Sequence, residues 1–127
     1  GLFMISPFVD LTLSAPSVSK YKYRDPMVTA YALQRGADGF RGAIAADDAC
    51  VSPLFADLKG LPKILVQVGG EEILLDDALR LAEYGQAAGI DMDCQVYEGM
   101  WHNFQMFNQV LDTSSQALDE IAGFIKD

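Results

Sequence analysis

The 127-residue sequence has few residues that bind metals or form disulfides, since it contains two cysteines and one histidine. Cys50 and Cys94 lie far apart in the sequence, and neither belongs to a C-x-x-C pair. Because a structural zinc site needs closely spaced Cys and His ligands, we expect no metal ion. Both cysteines are interpreted as small, buried, apolar side chains in a reduced, cytoplasmic compartment.

Basic side chains are also scarce, with 9 lysines and arginines against 18 aspartates and glutamates, a formal net charge of −9. Such an acidic surface repels phosphate groups, so neither nucleic acid nor an anionic membrane surface is an expected partner. The sequence also lacks the run of about 18 apolar residues that marks a membrane span. Half of the residues are nevertheless apolar, which is enough for the core of one domain.

Three short segments have the pattern of β-strands. Residues 2–5 form an apolar run that Pro7 closes, and residues 64–68 form a second run that two glycines close. Residues 92–97 alternate between apolar and polar side chains, which predicts a half-exposed strand near the edge of a sheet.

Two later segments have the apolar spacing of amphipathic helices. In residues 73–88 the apolar side chains recur at intervals of three and four, and Gly89 is predicted to end this helix. Its predicted buried face consists of Leu75, Ala78, Leu79 and Ala82. The final helix is predicted to begin at a capping box formed by Thr113 and Gln116. Its predicted buried face consists of Leu118, Ile121, Ala122 and Ile125.

Residues 12–54 are less regular, and we expect short helices and loops there. One helix is predicted to begin at Asp25-Pro26, because proline is favoured at the first helical position. Gly36 and Gly39 are predicted to end it. Its predicted apolar face consists of Met27, Ala30 and Tyr31.

The alternation of strands and helices predicts an α/β fold with a parallel sheet covered on both faces. In such sheets, reactive groups gather where the strands end. Glu71 and Glu72 follow the second strand, and His102 follows the third. Either carboxylate alone is typical of a solvated first turn of a helix. An acid beside a histidine, however, is the orienting half of a nucleophile–base–acid triad.

Four segments resemble the hormone-sensitive-lipase group of α/β-hydrolase esterases, particularly its microbial members. The segments occur in the order found in that group, and they are spread over most of the chain, from residue 5 to residue 104. They are residues 5–11 (ISPFVDL), 52–62 (SPLFADLKGLP), 67–77 (QVGGEEILLDD) and 99–104 (GMWHNF).

The resemblance implies a serine carboxylic-ester hydrolase that needs no cofactor and acts on small-molecule, short-chain acyl esters. It implies that His102 is the general base. Glu72 matches the first aspartate of the group's D-P-L-x-D-E segment, which makes it the expected acid. Asp76 is the rival acid, since it lies one helical turn further on. Glu71 and Asp77 are interpreted as solvated charges.

The sequence lacks two parts of such an enzyme, the G-x-S-x-G segment of the nucleophile and the H-G-G-G segment of the oxyanion site. We therefore expect residues 1–127 to be the C-terminal portion of one catalytic domain whose N-terminal half is missing. Without a nucleophile the chain alone is expected to be inactive. The exposed sheet edge left by the missing half predicts an oligomer, a segment-swapped assembly, or continued pairing with that half.

Two other interpretations compete with this one. The first is a non-enzymatic, truncated α/β-hydrolase module that serves binding or assembly. The second is a flavodoxin-like ligand domain, which would need a glycine-rich loop that binds phosphate. Gly69 and Gly70 are followed by two glutamates that repel phosphate, so this second alternative is disfavoured.

Overall fold

The computed structural model describes residues 1–126, in which three strands form one parallel sheet. The strands are β1 (Leu2–Ile5), β2 (Ile64–Gly69) and β3 (Met92–Tyr97), in the order β1-β2-β3. All three predicted strands and the parallel α/β class are confirmed. The apolar composition of β2 follows from its central place, since every one of its residues is buried.

Within residues 1–126, four α-helices and two short 3₁₀ segments connect and cover the strands. The helices are α1 (Pro16–Lys20), α2 (Ala30–Arg41), α3 (Leu75–Ala87) and α4 (Asp112–Lys126). The 3₁₀ segments are Pro53–Phe55 and Phe104–Phe107. None of the helices in residues 1–126 combines the length and the apolar character that crossing a membrane requires.

The main core lies between the sheet and α3. Ile64, Val66 and Val68 project from one face of β2 into a buried cluster that includes Ala78 and Leu81 of α3. Each fully buried aliphatic side chain of this size contributes about 1.5–3 kcal/mol to the free energy of unfolding. This packing fixes the end of β2, and the loop that follows it, relative to α3.

The opposite face of β2 meets α4 through a polar contact. The Gln67 side chain donates a hydrogen bond of 2.9 Å to the Ala117 carbonyl oxygen. The Ser114 hydroxyl of α4 also donates to the Phe104 carbonyl oxygen at 2.7 Å. These bonds connect α4 both to the sheet and to the chain segment directly after His102.

The first predicted helix begins and ends later than expected. Thr29 caps α2 by accepting a hydrogen bond from the Ala32 amide at 3.1 Å, so Pro26 lies before the helix. Gly36 and Gly39, predicted to end the helix, lie inside it. Glycine weakens a helix interior by only about 0.5–1 kcal/mol relative to alanine, a cost that tertiary packing can offset.

Two further helix boundaries differ from the predicted ones. Helix α3 begins at Leu75 rather than Ile73. Helix α4 begins at Asp112, so Thr113 lies inside its first turn and is not the capping residue. Both differences are small, because the apolar spacing that defines a helix extends into the turn that precedes it.

The predicted buried faces are correct at their centres and too wide at their margins. Ala78 and Ala82 of α3 and Ile121 of α4 are buried as predicted. The residues of the predicted faces that are exposed are Met27, Tyr31, Leu79, Ala122 and Ile125. A helix that lies on a sheet buries a narrow stripe, so residues beside that stripe remain in contact with solvent. The prediction that both cysteines are buried is also wrong, since Cys50 is exposed and Cys94 is half-buried.

Candidate active site

The loops that follow β2 and β3 are joined by backbone hydrogen bonds. The Gly70 amide donates to the Tyr97 carbonyl oxygen at 2.8 Å, and the Glu71 amide donates to the Met100 carbonyl oxygen at 2.9 Å. A Cβ atom at Gly69 would lie 2.5 Å from the same Met100 oxygen. Glycine is therefore required here because the two loops touch through their backbones.

The contact between the loops brings Glu72 to His102. Glu72 is fully buried, and its Oε1 lies 3.1 Å from Nδ1 of His102, whose side chain is 13% exposed. An ionised carboxylate can only accept hydrogen bonds, so Nδ1 carries the hydrogen and Nε2 keeps a free electron pair. This is the tautomer that a general base requires.

The second carboxylate oxygen of Glu72 is also fully engaged. Oε2 accepts hydrogen bonds of 2.7 Å from the Ser6 hydroxyl and 2.7 Å from the Gly69 amide. A buried carboxylate is tolerated only where such donors replace the water it has lost. Together the three contacts fix the position of both Glu72 oxygens.

Nε2 of His102 lies 3.0 Å from Nδ2 of Asn103. Because Nε2 accepts in this tautomer, the side-chain nitrogen Nδ2 of Asn103 must be the donor. Asn103 has a φ of 56°, in the left-handed region that asparagine tolerates better than most residues. The electron pair of Nε2 therefore already accepts a hydrogen bond, from the Asn103 side chain.

Asp76, the rival acid, lies elsewhere. Its carboxylate accepts a hydrogen bond of 2.7 Å from the Ser17 amide, and its own amide donates to the Ser17 hydroxyl at 3.1 Å. Asp76 thus connects the start of α3 to α1. The structure brings Glu72 to His102, whereas Asp76 is hydrogen-bonded to Ser17 of α1.

The two carboxylates interpreted as solvated have different surroundings. Glu71 forms an exposed ion pair of 2.9 Å with Arg24. Asp77 is fully buried, so its interpretation as solvated is wrong. Its Oδ2 accepts hydrogen bonds of 3.0 Å from each of the Val9 and Asp10 amides. Burial raises the pKa of the Asp77 carboxyl to about 6, because desolvation outweighs these two amide donors.

Two residues beside the site were not assigned a role from the sequence. Ser6 bonds to Glu72, as described above. Asp25 is buried, and its Oδ2 accepts a hydrogen bond of 3.1 Å from the amide of Ile73, the residue after Glu72. The only signal for Ser6 was its place in the ISPFVDL segment, and Asp25 had none beyond the following proline.

No group of three or more His, Cys, Asp or Glu side chains within residues 1–126 is arranged to hold a metal ion. Glu72 and His102 instead interact directly with each other. A buried carboxylate that holds the tautomer of an imidazole can support proton transfer at Nε2.

Comparison with known proteins places the chain in a family. Residues 1–106 match the family model of the alpha/beta hydrolase fold. An esterase from Acinetobacter venetianus is 45% identical over 125 residues, which are 98% of this chain and 41% of that protein. An acetyl-hydrolase from Streptomyces hygroscopicus is 30% identical, over 96% of this chain and 41% of that protein.

Solved structures agree with the sequence matches. A hormone-sensitive lipase from a metagenome library has a TM-score of 0.96 and 38% identity, covering 99% of this chain and 43% of that one. EstE5, in a crystal soaked with p-nitrophenyl butyrate, has a TM-score of 0.91 and 31% identity, covering 96% of this chain and 41% of that one. The chain thus spans about two-fifths of the length of these relatives. It belongs to the α/β-hydrolase fold family, and its predicted resemblance to the hormone-sensitive-lipase esterases is confirmed.

Proposed function

We propose that this chain supplies the general base, His102, and the acid, Glu72, of a serine hydrolase that cleaves carboxylic esters. The observation that carries the proposal is the 3.1 Å contact between Glu72 Oε1 and His102 Nδ1 at the ends of β2 and β3. Because that contact places the hydrogen on Nδ1, the other ring nitrogen, Nε2, can accept a proton.

In the proposed reaction, Nε2 of His102 takes the proton of a serine hydroxyl while the serine oxygen attacks the ester carbonyl carbon. The buried Glu72 carboxylate stabilises the imidazolium that forms. The imidazolium then gives the proton to the departing alkoxide, and the acyl group remains on the serine. In the second half-reaction, Nε2 of His102 takes a proton from water while the water oxygen attacks the acyl carbon. The imidazolium then returns the proton to the serine oxygen as the acyl–serine bond breaks and the acid leaves.

The serine and the oxyanion donors lie outside this sequence, which contains no G-x-S-x-G segment. We propose that they belong to an upstream portion of the same polypeptide, and that residues 1–127 are the C-terminal portion of one catalytic domain. The greater length of the relatives supports this arrangement. The chain alone is then inactive, because the nucleophile and oxyanion donors supply most of the rate enhancement.

The proposed substrates are small esters with short acyl chains. Support comes from the relatives, one described as an acetyl-hydrolase and another soaked with p-nitrophenyl butyrate in its crystal. We also propose a cytoplasmic location, which the free thiols of Cys50 and Cys94 favour.

The test needs the continuous polypeptide, with residues 1–127 joined to their upstream portion, and measures hydrolysis of p-nitrophenyl acetate, butyrate and palmitate. We expect turnover of the two shorter esters. Glu72→Gln should lower kcat on the order of 10⁴-fold, and His102→Ala on the order of 10⁶-fold, the scales found when a triad loses its orienting acid or its base.

Asp76→Asn is the matched control, because it changes a carboxylate four residues from Glu72 that contacts α1 instead of His102. It should leave kcat close to that of the unchanged enzyme. A large loss in Asp76→Asn with none in Glu72→Gln would assign the acid to Asp76. Absence of turnover in the continuous polypeptide would favour the non-enzymatic module.

A further inference from the structure

We propose that Ser6 is a positioning residue that holds the Glu72 carboxylate in the orientation that His102 needs. This inference rests on the proposed function of Glu72 and His102. Its basis is a short hydrogen bond between a buried hydroxyl and a buried carboxylate from distant parts of the sequence.

Ser6 is fixed in place by its backbone. It follows directly after β1, is 4% exposed, and its amide donates a hydrogen bond of 2.8 Å to the Gln67 carbonyl oxygen of β2. Its φ of 45° lies in the left-handed region, which serine seldom occupies. Residues held in such a conformation cluster at functional sites, where the surrounding structure enforces it.

The direction of the hydrogen bonds at Ser6 follows from the chemistry of its partners. The Glu72 carboxylate cannot donate, so the Ser6 hydroxyl donates to Oε2 at 2.7 Å. The backbone amide nitrogen of Asn103 cannot accept, so it donates to the Ser6 hydroxyl oxygen at 3.4 Å. One hydroxyl thus connects the ends of all three strands, and the Asn103 end is the segment that carries His102.

Ser6 is the partner that gives Glu72 its orientation from outside its own loop. The other donor to Oε2, the Gly69 amide, belongs to the last residue of β2 and lies only three residues from Glu72. Without the Ser6 hydroxyl, Oε2 loses a donor, and the carboxylate can rotate away from Nδ1. Such a rotation changes the tautomer of His102 while leaving the fold intact.

The experiment observes the imidazole directly. His102 is the only histidine of the chain, so ¹⁵N-labelled histidine gives one pair of ring-nitrogen signals that need no assignment. These signals report the ratio of the Nδ1–H and Nε2–H tautomers at a pH where the ring is neutral. The chain is compared with its Ser6→Ala, Ser6→Gly and Glu72→Gln variants and with Ser14→Ala as a matched control.

Ser14 suits this purpose because its hydroxyl also donates to a carboxylate, Oδ2 of Asp10, at 2.8 Å. Ser6→Gly distinguishes the effect of losing the hydroxyl from the effect of backbone strain, since glycine adopts a φ of 45° without strain. If Ser6 served only the fold, Ser6→Gly would retain the tautomer ratio of the unchanged chain.

We expect the Nδ1–H form to predominate in the unchanged chain and in Ser14→Ala. Ser6→Ala and Ser6→Gly should both shift the ratio toward Nε2–H by about tenfold, the usual scale for one hydrogen bond to a charged group. An unchanged ratio in Ser6→Gly would overturn the inference while leaving the proposed pair intact. An unchanged ratio in Glu72→Gln would instead overturn the pairing of Glu72 with His102, and with it the proposed function.

Discussion

At the scale of the residue, four carboxylates close together in the sequence have four different environments. Glu71 is exposed, Glu72 meets His102, Asp76 bonds to α1, and Asp77 is buried against the chain that follows β1. Local sequence treats these residues as nearly equivalent, because Glu71 and Glu72 lie just before α3 and Asp76 and Asp77 lie in its first turn. Their environments differ because each meets a different partner from residues 6–24. These partners are Arg24 for Glu71, Ser6 for Glu72, Ser17 for Asp76, and Val9 with Asp10 for Asp77.

The raised pKa of Asp77 predicts a pH-dependent stability. Its pKa of about 6 in the folded chain exceeds the ordinary value of 3.8, so folding favours the protonated form. Ionisation therefore lowers the free energy of unfolding as the pH rises from about 4 to about 6, by about 3 kcal/mol for a shift of about two units. Arg80, whose partner Asp10 lies 2.7 Å away, offsets part of the cost.

Asp77→Asn removes this ionisable group and keeps an oxygen that can accept from the Val9 and Asp10 amides. We expect the variant to gain stability relative to the unchanged chain between pH 4 and pH 6, and the difference to level off above that range. Urea unfolding of both proteins at several pH values across this range measures the difference in their free energies of unfolding. A difference that stays constant with pH would contradict the raised pKa.

At the scale of the element, Gly69 and Gly70 at the end of β2 also allow a close contact between two loops. The two glycines let the loop after β2 touch the loop after β3 through backbone atoms. A side chain on Gly69 would separate the loops and so move Glu72 from His102. The geometry of the Glu72–His102 pair therefore depends on the absence of a side chain at Gly69 as well as on the two side chains that form the pair.

Gly69→Ala is predicted to destabilise the chain, because its Cβ would lie 2.5 Å from the Met100 oxygen and 2.8 Å from the Trp101 oxygen. We expect a loss of about 1–3 kcal/mol in the free energy of unfolding, the usual cost of overpacking. Denaturant titration measures this change.

Gly36→Ala is the control for that measurement, since a Cβ there meets no atom within 4 Å and lies inside α2. It should raise the stability by about 0.5–1 kcal/mol, because alanine suits a helix interior better than glycine. Equal effects of the two substitutions would show that the loops tolerate a side chain at Gly69.

At the scale of the whole molecule, the described part of the chain leaves apolar surface uncovered. Leu2 and Phe3 of β1 are 39% and 42% exposed, and within residues 1–126 β1 pairs only with β2. A cavity of about 430 Å³ is lined mostly by apolar side chains from α2 and from the segments that flank it. Its lining includes Phe8, Leu11, Leu33, Phe40 and Val51.

We therefore predict that the isolated chain associates with itself or with its upstream portion, because an unpaired strand edge and exposed apolar groups recruit other chains. Sedimentation at micromolar concentration should give more than the monomer mass, and intact-mass measurement should show whether a second polypeptide is present. Phe3→Lys should reduce the association, whereas Tyr23→Lys, at an 88% exposed position outside β1, should not. A monomer with no second polypeptide would contradict the prediction.

The sequence by itself determined the class of the fold and the place of the site. Apolar runs define the three strands, and the segments after β2 and β3 identify Glu72 and His102 as residues of adjacent loops. Helical spacing, however, left both Glu72 and Asp76 as possible partners of His102. It also gave no sign that Asp77 is buried or that Ser6 touches Glu72.

Only the tertiary structure decided these points. The Ser6–Glu72 and Val9–Asp77 contacts join residues separated by 66 and 68 positions. Local periodicity records which side of a helix or strand is apolar, because burial of that side stabilises the element. It does not record which distant donor will meet a given carboxylate, since that depends on how the strands and helices pack together.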